Sequence, residues 1–158
     1  MVINGPNLGL LGEREPEVYG TTTLSEIKQM VLDAVSTKAV VKWFQFESEG
    51  SLIRAIHRYR TWYDGVVINP GALSHTSLAL HDAIRAVGKP FIEVHLSNIH
   101  AREEIRRHSV TAMACKAVIC GLGPSGYVWA VLGLLQAASD LPLTESAAGK
   151  GYETGKKR

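Results

Sequence analysis

Residues 65–70 read Gly-Val-Val-Ile-Asn-Pro. A continuous run of β-branched residues is typical of a strand buried on both faces of a parallel sheet, and a proline ends such a strand. Runs of similar character predict four more strands, at residues 2–3, 40–46, 90–94 and 116–120. Five strands separated by longer segments indicate a repeated β–α architecture.

The segments between these strands have helical features. Residues 23–26 have the spacing of a capping box, and apolar residues follow at helical spacing, namely Leu24, Ile27, Val31 and Ala34. A second helix is predicted from about residue 49. A third is capped by Thr76 or Ser74 and runs to about residue 87. The last begins at Pro124 and runs to about residue 139.

Parallel strands joined by helices cross over with one hand, which places helices on both faces of an open sheet. We therefore predict an α/β fold, a flavodoxin-like open parallel five-stranded sheet with helices on both faces. Residues 1–139 are expected to form this single domain. Residues 140–158 contain three glycines and few apolar residues, and we expect them to be a mobile tail.

Composition argues against several classes of protein. The 158 residues are 46% hydrophobic and 20% charged with a net charge of +2, which is typical of one soluble domain and gives no indication of nucleic-acid binding. Two cysteines, Cys115 and Cys120, do not make a disulfide framework, so we expect buried reduced thiols in the cytoplasm. The most apolar stretch, residues 127–138, is shorter than a membrane span, and the N-terminus has no signal-peptide pattern.

In an open parallel sheet, ligands bind at the carboxyl ends of the strands. The predicted fold concentrates polar residues at that edge, whereas the opposite edge receives mostly turn residues. The residues at the carboxyl edge are Asn4, Asn7, Glu47, Asn69, Gly71, His75, Thr76, His95, Ser97, Asn98, Arg102, Arg106 and Arg107. This asymmetry favours a site for an anionic, hydroxylated small molecule.

Glu93 and His95 are the strongest candidates for proton transfer. They point to the same face because strand side chains alternate, and a carboxylate beside a histidine fixes its tautomer. A purely structural buried pair would have the same spacing. His75 precedes a helix and is either a ligand contact or a turn residue. The spacing of His75, His95 and His100 is not that of a zinc site, so no metal is predicted.

A segment rich in glycine and proline carries Arg14 and Tyr19. It is either an exposed loop with incidental polar residues or a lid that carries a base. A tyrosine titrates near 10, so a base near neutrality needs its phenolate stabilised by about 2.7 kcal/mol. One guanidinium about 4 Å away supplies up to about 4 kcal/mol. Either Arg14 or one of the arginines at 102–107 is therefore sufficient to stabilise the Tyr19 phenolate near neutral pH.

Residues 121–126, Gly-Leu-Gly-Pro-Ser-Gly, formally match the dinucleotide-binding pattern Gly-x-Gly-x-x-Gly. That pattern belongs in an early β–α–β unit with a further strand and an acidic residue after it, and here only the tail follows. Close packing between a strand and a helix is the favoured interpretation.

Several motifs together, in this order and spacing, resemble the type II 3-dehydroquinate dehydratases. They cover about residues 2–137. They are Ile-Asn-Gly-Pro-Asn-Leu at 3–8, Leu-Gly-Glu-Arg-Glu-Pro at 11–16 with Tyr-Gly at 19–20, Ser-Glu-Gly at 48–50, Asn-Pro-Gly-Ala at 69–72 with Ser-His-Thr-Ser at 74–77, Glu-Val-His-Leu-Ser-Asn at 93–98, and the arginine-rich stretch 102–109.

The resemblance implies a hydro-lyase of the shikimate pathway or of quinate catabolism. Such an enzyme removes water reversibly and with anti stereochemistry from 3-dehydroquinate, through an enolate, to give 3-dehydroshikimate. The resemblance implies no cofactor and no metal. It also implies a homododecamer built from four trimers.

The resemblance further implies roles for individual residues. Tyr19 would be the base, Arg14 would stabilise its phenolate, and Asn7 would help to hold the enolate. His95, oriented by Glu93, would protonate the leaving hydroxyl. The substrate-binding residues would be Asn69, Gly71, His75, Asp82, Leu96, Ser97 and Arg106, with Asp82 reaching the site of a neighbouring subunit.

Two alternatives are open at this point. A flavin- or nucleotide-binding module on the same fold needs a phosphate-binding loop after the first strand, where Pro6 lacks a backbone donor. A non-enzymatic assembly or regulatory protein of this family would lack part of the set formed by Arg14, Tyr19 and His95, which is complete here.

Overall fold

The structure, a computed structural model, describes residues 1–138, so the predicted tail at 140–158 lies outside the described residues. Five parallel strands form one sheet in the order β2-β1-β3-β4-β5. The strands are β1 (Val2–Asn4), β2 (Trp43–Gln45), β3 (Val66–Asn69), β4 (Phe91–His95) and β5 (Ala117–Cys120). This is the order of flavodoxin-like folds, and the predicted fold class is confirmed.

Helices cover both faces of the sheet. They are α1 (Pro16–Tyr19), α2 (Leu24–Val35), α3 (Glu49–Arg58), α4 (Leu78–Ala86) and α5 (Ser125–Ala138). α2 packs against α5, and α3 packs against α4. Within residues 1–138, no helix has both the length and the apolar character that crossing a bilayer requires.

The alternation of side chains along β3 creates two cores. Val66, Val67 and Ile68 are all fully buried, as the continuous apolar run predicted. Val67 belongs to the core under α2 and α5, whereas Val66 and Ile68 belong to the core under α3 and α4. Each such side chain contributes about 1.5–3 kcal/mol by leaving water, so a β3 buried on both faces anchors the sheet.

The predicted capping box at the start of α2 is present. The Thr23 side chain accepts a hydrogen bond from the Glu26 backbone N–H, and the Glu26 carboxylate accepts one from the Thr23 backbone N–H. Ile27 and Val31 are buried as predicted, but Val35 rather than Ala34 completes the buried face.

Other boundaries differ from the prediction. The second strand is shorter than 40–46 because its partner β1 has only three residues, and their register begins with Val2 opposite Trp43. The third predicted helix is capped by Ser77, not by Thr76 or Ser74, because residues 71–75 form a 3-10 helix first. Cys115 and Cys120 are free but half-buried, not buried.

The glycine pattern at 121–126 packs a helix onto the sheet. A Cβ added to Gly126 would lie 3.4 Å from methyl carbons of both Val94 on β4 and Ile119 on β5. These are van der Waals contact distances, so the first turn of α5 lies directly against β4 and β5. This close approach supports the interpretation as a packing motif.

Candidate active site

β1, β3 and β4 end at one edge of the sheet, where a cavity of about 120 Å³ opens. Of the residues to which the resemblance assigns roles, all except Glu93 and Asp82 line it, namely Asn7, Arg14, Tyr19, Asn69, Gly71, His75, His95, Leu96, Ser97 and Arg106. The other polar residues predicted at this edge do not line the cavity, with the exception of Arg102; they are Asn4, Glu47, Thr76, Asn98 and Arg107. Glu93 is fully buried beside His95, whereas Asp82 is exposed on α4, away from this cavity.

A larger cavity, of about 510 Å³, lies at the opposite edge of the sheet. Its walls are mainly apolar, and Lys38 and Asp64 are the charged side chains that line it. Its titratable side chains are Lys38, Tyr63 and Asp64, and among the described residues no histidine or arginine lines it. We therefore place the chemistry in the smaller cavity, where titratable groups converge.

Tyr19 lies in this cavity with its hydroxyl held by Arg102. The Arg102 Nη1 donates to the Tyr19 hydroxyl oxygen at 2.8 Å. The Arg14 guanidinium instead lies over the ring, with Cζ 5.1 Å from the ring centroid, and pairs with Glu15 at 2.6 Å. Of the two sources of positive charge that the sequence left open, the guanidinium that contacts the hydroxyl comes from the 102–107 segment.

Arg102 is itself held in place by acidic neighbours. Burial acts to lower the pKa of Arg102, but the hydrogen bond to Tyr19 and the negative charges near it outweigh burial and raise it. The Glu103 carboxylate accepts from Arg106 Nε at 2.5 Å and lies 3.5 Å from Arg102 Nε. Glu103 thus fixes two guanidiniums at the mouth of the cavity.

His95 ends β4 and is bonded to Glu93, as the alternation of strand side chains predicted. Nε2 of His95 lies 2.7 Å from Oε1 of Glu93, and both residues are buried. Since an ionised carboxylate only accepts hydrogen bonds, Nε2 carries the proton of this bond. Nδ1 is then the ring nitrogen available to a ligand in the cavity.

His75 stacks near His95 and has a defined tautomer. The two ring centroids are 6.4 Å apart. Nδ1 of His75 lies 2.8 Å from the carbonyl oxygen of His108, and a carbonyl only accepts, so Nδ1 is the donor. In the neutral ring Nε2 is therefore an acceptor, suited to a ligand hydroxyl.

Asn69 is fixed by a buried polar network. Its Nδ2 donates to the Tyr127 hydroxyl at 2.9 Å, and that hydroxyl donates to Oδ1 of Asn4 at 2.7 Å. Burial raises the pKa of Tyr127, so the hydroxyl keeps its proton. The Gly71 N–H donates to Oδ1 of Asn69 at 3.1 Å.

Gly71 occupies a place that only glycine suits. Its φ is +59°, and an added Cβ would lie 3.1 Å from the Pro6 carbonyl oxygen. The loops after β1 and β3 therefore approach each other closely beneath the cavity.

The loop after β1 is not a phosphate cradle. Asn7 has φ +65°, and its backbone N–H donates to Glu47 at 2.9 Å. This bond is the first cause, and a bond from Gln45 the second, of a lowered pKa of Glu47. Because one amide is occupied and Pro6 has none, the loop offers few donors to an anion, which argues against the nucleotide-binding alternative.

Sequence reasoning missed three residues that support the site. Ser109 and Thr111 donate to Glu93, and Tyr127 holds Asn69. A tyrosine on the core stripe of an apolar helix is a usable signal, because its buried hydroxyl requires a partner. No spacing rule marks the two hydroxyls, since they reach Glu93 through an irregular segment.

Comparisons with known proteins agree with this geometry. The family model for dehydroquinase class II matches residues 1–135. The 3-dehydroquinate dehydratase of Gemmatimonas aurantiaca is 54% identical over 137 residues, which are 86% of this chain and 90% of that protein. The catabolic 3-dehydroquinase of Verticillium alfalfae is 51% identical over 132 residues, which are 83% of this chain and 88% of that protein.

The fold has close structural relatives. The crystal structure of the type II dehydroquinase from Butyrivibrio crossotus superimposes with a TM-score of 0.82 at 41% sequence identity, over 84% of this chain and 94% of that one. The family model, the curated relatives and the solved structure each match most of this chain. This chain therefore belongs to the class II dehydroquinase family.

Proposed function

We propose that this cavity catalyses the reversible anti elimination of water from 3-dehydroquinate, through an enolate, to give 3-dehydroshikimate. Beyond family membership, one observation carries the proposal. A phenol held by a guanidinium and an imidazole held by a buried carboxylate line the same cavity. Loss of water beside a ketone needs a base, a stabiliser for the enolate and an acid for the leaving hydroxyl.

Tyr19 removes the α-proton in this mechanism. Arg102 donates to its oxygen and stabilises the phenolate by a charge-assisted hydrogen bond. Arg14 adds a second positive charge above the ring. The electron pair of the broken C–H bond moves onto the ketone oxygen, and Asn7, at the cavity wall, helps to hold the enolate.

His95 supplies the proton for the leaving group. Glu93 bonds Nε2 and stabilises the imidazolium, and Nδ1 gives its proton to the β-hydroxyl. The C–O bond breaks, water leaves, and the enolate electrons form the double bond of the enone as the ketone is restored. Among the described residues no lysine lines the cavity, so this geometry gives no support to a Schiff-base route.

The remaining lining residues suit an anionic, hydroxylated ligand. Asn69 and the backbone amides of Leu96 and Ser97 hold the substrate carboxylate or neighbouring oxygens, with Gly71 allowing close approach of the backbone. His75, through Nε2, and Arg106 bind ring hydroxyls. The support for these roles is their common position in one cavity.

We also propose a homododecamer of four trimers, in which Asp82 reaches the site of a neighbouring subunit. Asp82 and Leu78 are both exposed on α4, Leu78 at 67%. The 3-10 helix 111–114 packs against α4 and exposes Met113 at 74%. Such exposure supports contacts between copies. Analytical ultracentrifugation checks the assembly, and a stable monomer with full activity contradicts it.

We further propose that residues 1–139 are the catalytic domain. The enzyme acts in the cytoplasm. The step that it catalyses serves aromatic biosynthesis or quinate breakdown. Two cysteines present as free thiols support a reducing compartment. Localisation by a fluorescent fusion tests the compartment.

Purified protein mixed with 3-dehydroquinate tests the proposed function. We expect growth of enone absorbance, with Tyr19→Phe reducing turnover to background while the substrate still binds. Tyr59→Phe is the matched control, because Tyr59 packs against Phe44 outside the cavity. No enone from the wild-type protein contradicts the function, and an active Tyr19→Phe variant removes Tyr19 from its role.

A further inference from the structure

Both oxygens of the fully buried Glu93 carboxylate accept hydrogen bonds. Oε1 accepts from His95 Nε2 at 2.7 Å and from Ser109 Oγ at 2.6 Å, and Oε2 accepts from Thr111 Oγ1 at 2.5 Å. Thr111 is as fully buried as Glu93. Neither hydroxyl-bearing residue lines the cavity.

We propose that Ser109 and Thr111 are positioning residues for the acid step, which keep the Glu93 carboxylate anionic and aligned on Nε2 of His95. This inference rests on the proposed function. The two hydroxyls act only through Glu93 and His95, and they make no contact with the substrate.

The direction of the hydrogen bonds follows from the number of protons. Each hydroxyl has a single proton, and a carboxylate only accepts. Ser109 Oγ accepts from the Ala112 backbone N–H at 3.0 Å and lies 3.4 Å from the Ser74 carbonyl oxygen, so its proton belongs to the shorter bond to Glu93.

These donors decide where the proton between Glu93 and His95 resides. Hydrogen bonds to a buried carboxylate favour its charged form. Without one of them, the carboxyl group takes the Nε2 proton more readily from the imidazolium. The imidazole that remains is neutral and is a much weaker acid at Nδ1, and the ring also loses a rigid partner.

The segment that carries the hydroxyls is anchored on both sides. His75 Nδ1 donates to the His108 carbonyl at 2.8 Å, and His81 Nδ1 donates to the Val110 carbonyl at 2.9 Å. The Val110 N–H donates to the Ser74 carbonyl at 2.7 Å. The hydroxyls therefore reach Glu93 from a fixed backbone and lose little freedom on bonding.

Thr111→Val tests the proposal because it removes the hydroxyl and keeps the shape, with Thr111→Ser as the variant that restores the hydroxyl. Ser109→Ala is the second test, and Ser125→Ala is its control, since Ser125 Oγ bonds the Leu122 carbonyl outside the cavity. The readouts are kcat and KM for dehydration, exchange of the substrate α-proton in deuterated water, and the free energy of unfolding.

We expect Thr111→Val and Ser109→Ala to lower kcat for dehydration by about 10-fold to 100-fold, a part of what a general acid contributes, with KM nearly unchanged. The ratio of α-proton exchange to dehydration rises, because the enolate forms and then returns. Thr111→Ser restores both values. If Thr111→Val does not fold, Ser109→Ala carries the same expectations.

Two results overturn the proposal. One is an unchanged kcat in a folded variant, and the other is an equal loss of exchange and dehydration, which a general structural disturbance produces. Failure of the proposed function is distinguishable, because the wild-type protein then makes no enone at all.

Discussion

Replacement of Tyr127 by phenylalanine removes the hydroxyl that joins β1, β3 and α5. The hydroxyl accepts from Nδ2 of Asn69 and donates to Oδ1 of Asn4, and Asn4 and Asn69 are 0% and 3% exposed. Water does not reach the Asn4 amide without rearrangement, and Asn69, although it borders the cavity, is almost as fully buried. Both amide groups therefore lose a partner that no nearby protein group replaces.

The cost follows from the two unsatisfied groups. Each buried polar atom without a partner costs about 1–3 kcal/mol, and the easier burial of phenylalanine offsets part of the sum. We expect Tyr127→Phe to lower the free energy of unfolding by about 2–4 kcal/mol. Asn69 also loses its fixed orientation in the cavity, so KM for the substrate rises.

Tyr63→Phe is the matched control. Tyr63 is also buried, but its hydroxyl makes one bond, to the Ile56 carbonyl at 3.0 Å, and it lies outside the active-site cavity. We expect a loss of about 0.5–1.5 kcal/mol and an unchanged KM. Urea unfolding at a fixed protomer concentration, followed by tryptophan fluorescence, measures both variants, and Trp43 stacks on Tyr127 at a centroid distance of 5.7 Å. A cost for Tyr127→Phe no larger than that for Tyr63→Phe, at equal m-values, refutes the reasoning.

Three further predictions concern the residues around the cavity and the first long helix. Arg102→Gln removes the guanidinium on Tyr19 and is expected to lower kcat by about 10²–10³-fold, measured by enone formation, whereas a loss confined to KM would assign Arg102 to binding alone. The Glu47 carboxylate has a lowered pKa, first because the Asn7 N–H donates to it and second because Gln45 does. Its contribution to stability is therefore present above its unfolded-state pKa and is lost as the pH falls through the lower folded-state pKa. Glu47→Gln should therefore lose less stability than the wild-type protein between about pH 5 and pH 3 in thermal unfolding, and identical pH profiles would show that the bond has no energetic weight. Thr23→Ala removes the cap of α2 and should lower the free energy of unfolding by about 1 kcal/mol in urea, with the exposed Thr21→Ala as a control that changes nothing.

The fold was predictable because its main signals are local. The apolar run before Pro70 and the capping box at Thr23 each indicate one element, and the order of the elements leaves few topologies. The length of β2 was not predictable in this way, since pairing with a three-residue β1 decides it. Val40 has high strand propensity, but the pairing of β2 begins at Trp43, and the Val40 side chain is 81% exposed.

The position of the site was predictable from the edge at which the strands end, but its contacts were not. Tyr19 and Arg102 are 83 positions apart in sequence, and only the folded chain shows which of several guanidiniums reaches the hydroxyl. The Glu93–His95 pair was predictable because side chains alternate between the two faces of a strand. The hydroxyls of Ser109 and Thr111 lie on an irregular segment, for which no periodicity gives a direction.

In the proposed mechanism, the bond between Arg102 and Tyr19 couples enclosure of the substrate to reactivity. One guanidinium donates to the phenol that we propose as the base, and in this way also holds α1, the short helix that carries it. An outward movement of that helix would break the bond to Arg102 and open the cavity to solvent at the same time. In a cavity open to solvent, Tyr19 would therefore be a weaker base. An enolate would then form only in the closed cavity, where bulk water cannot protonate it.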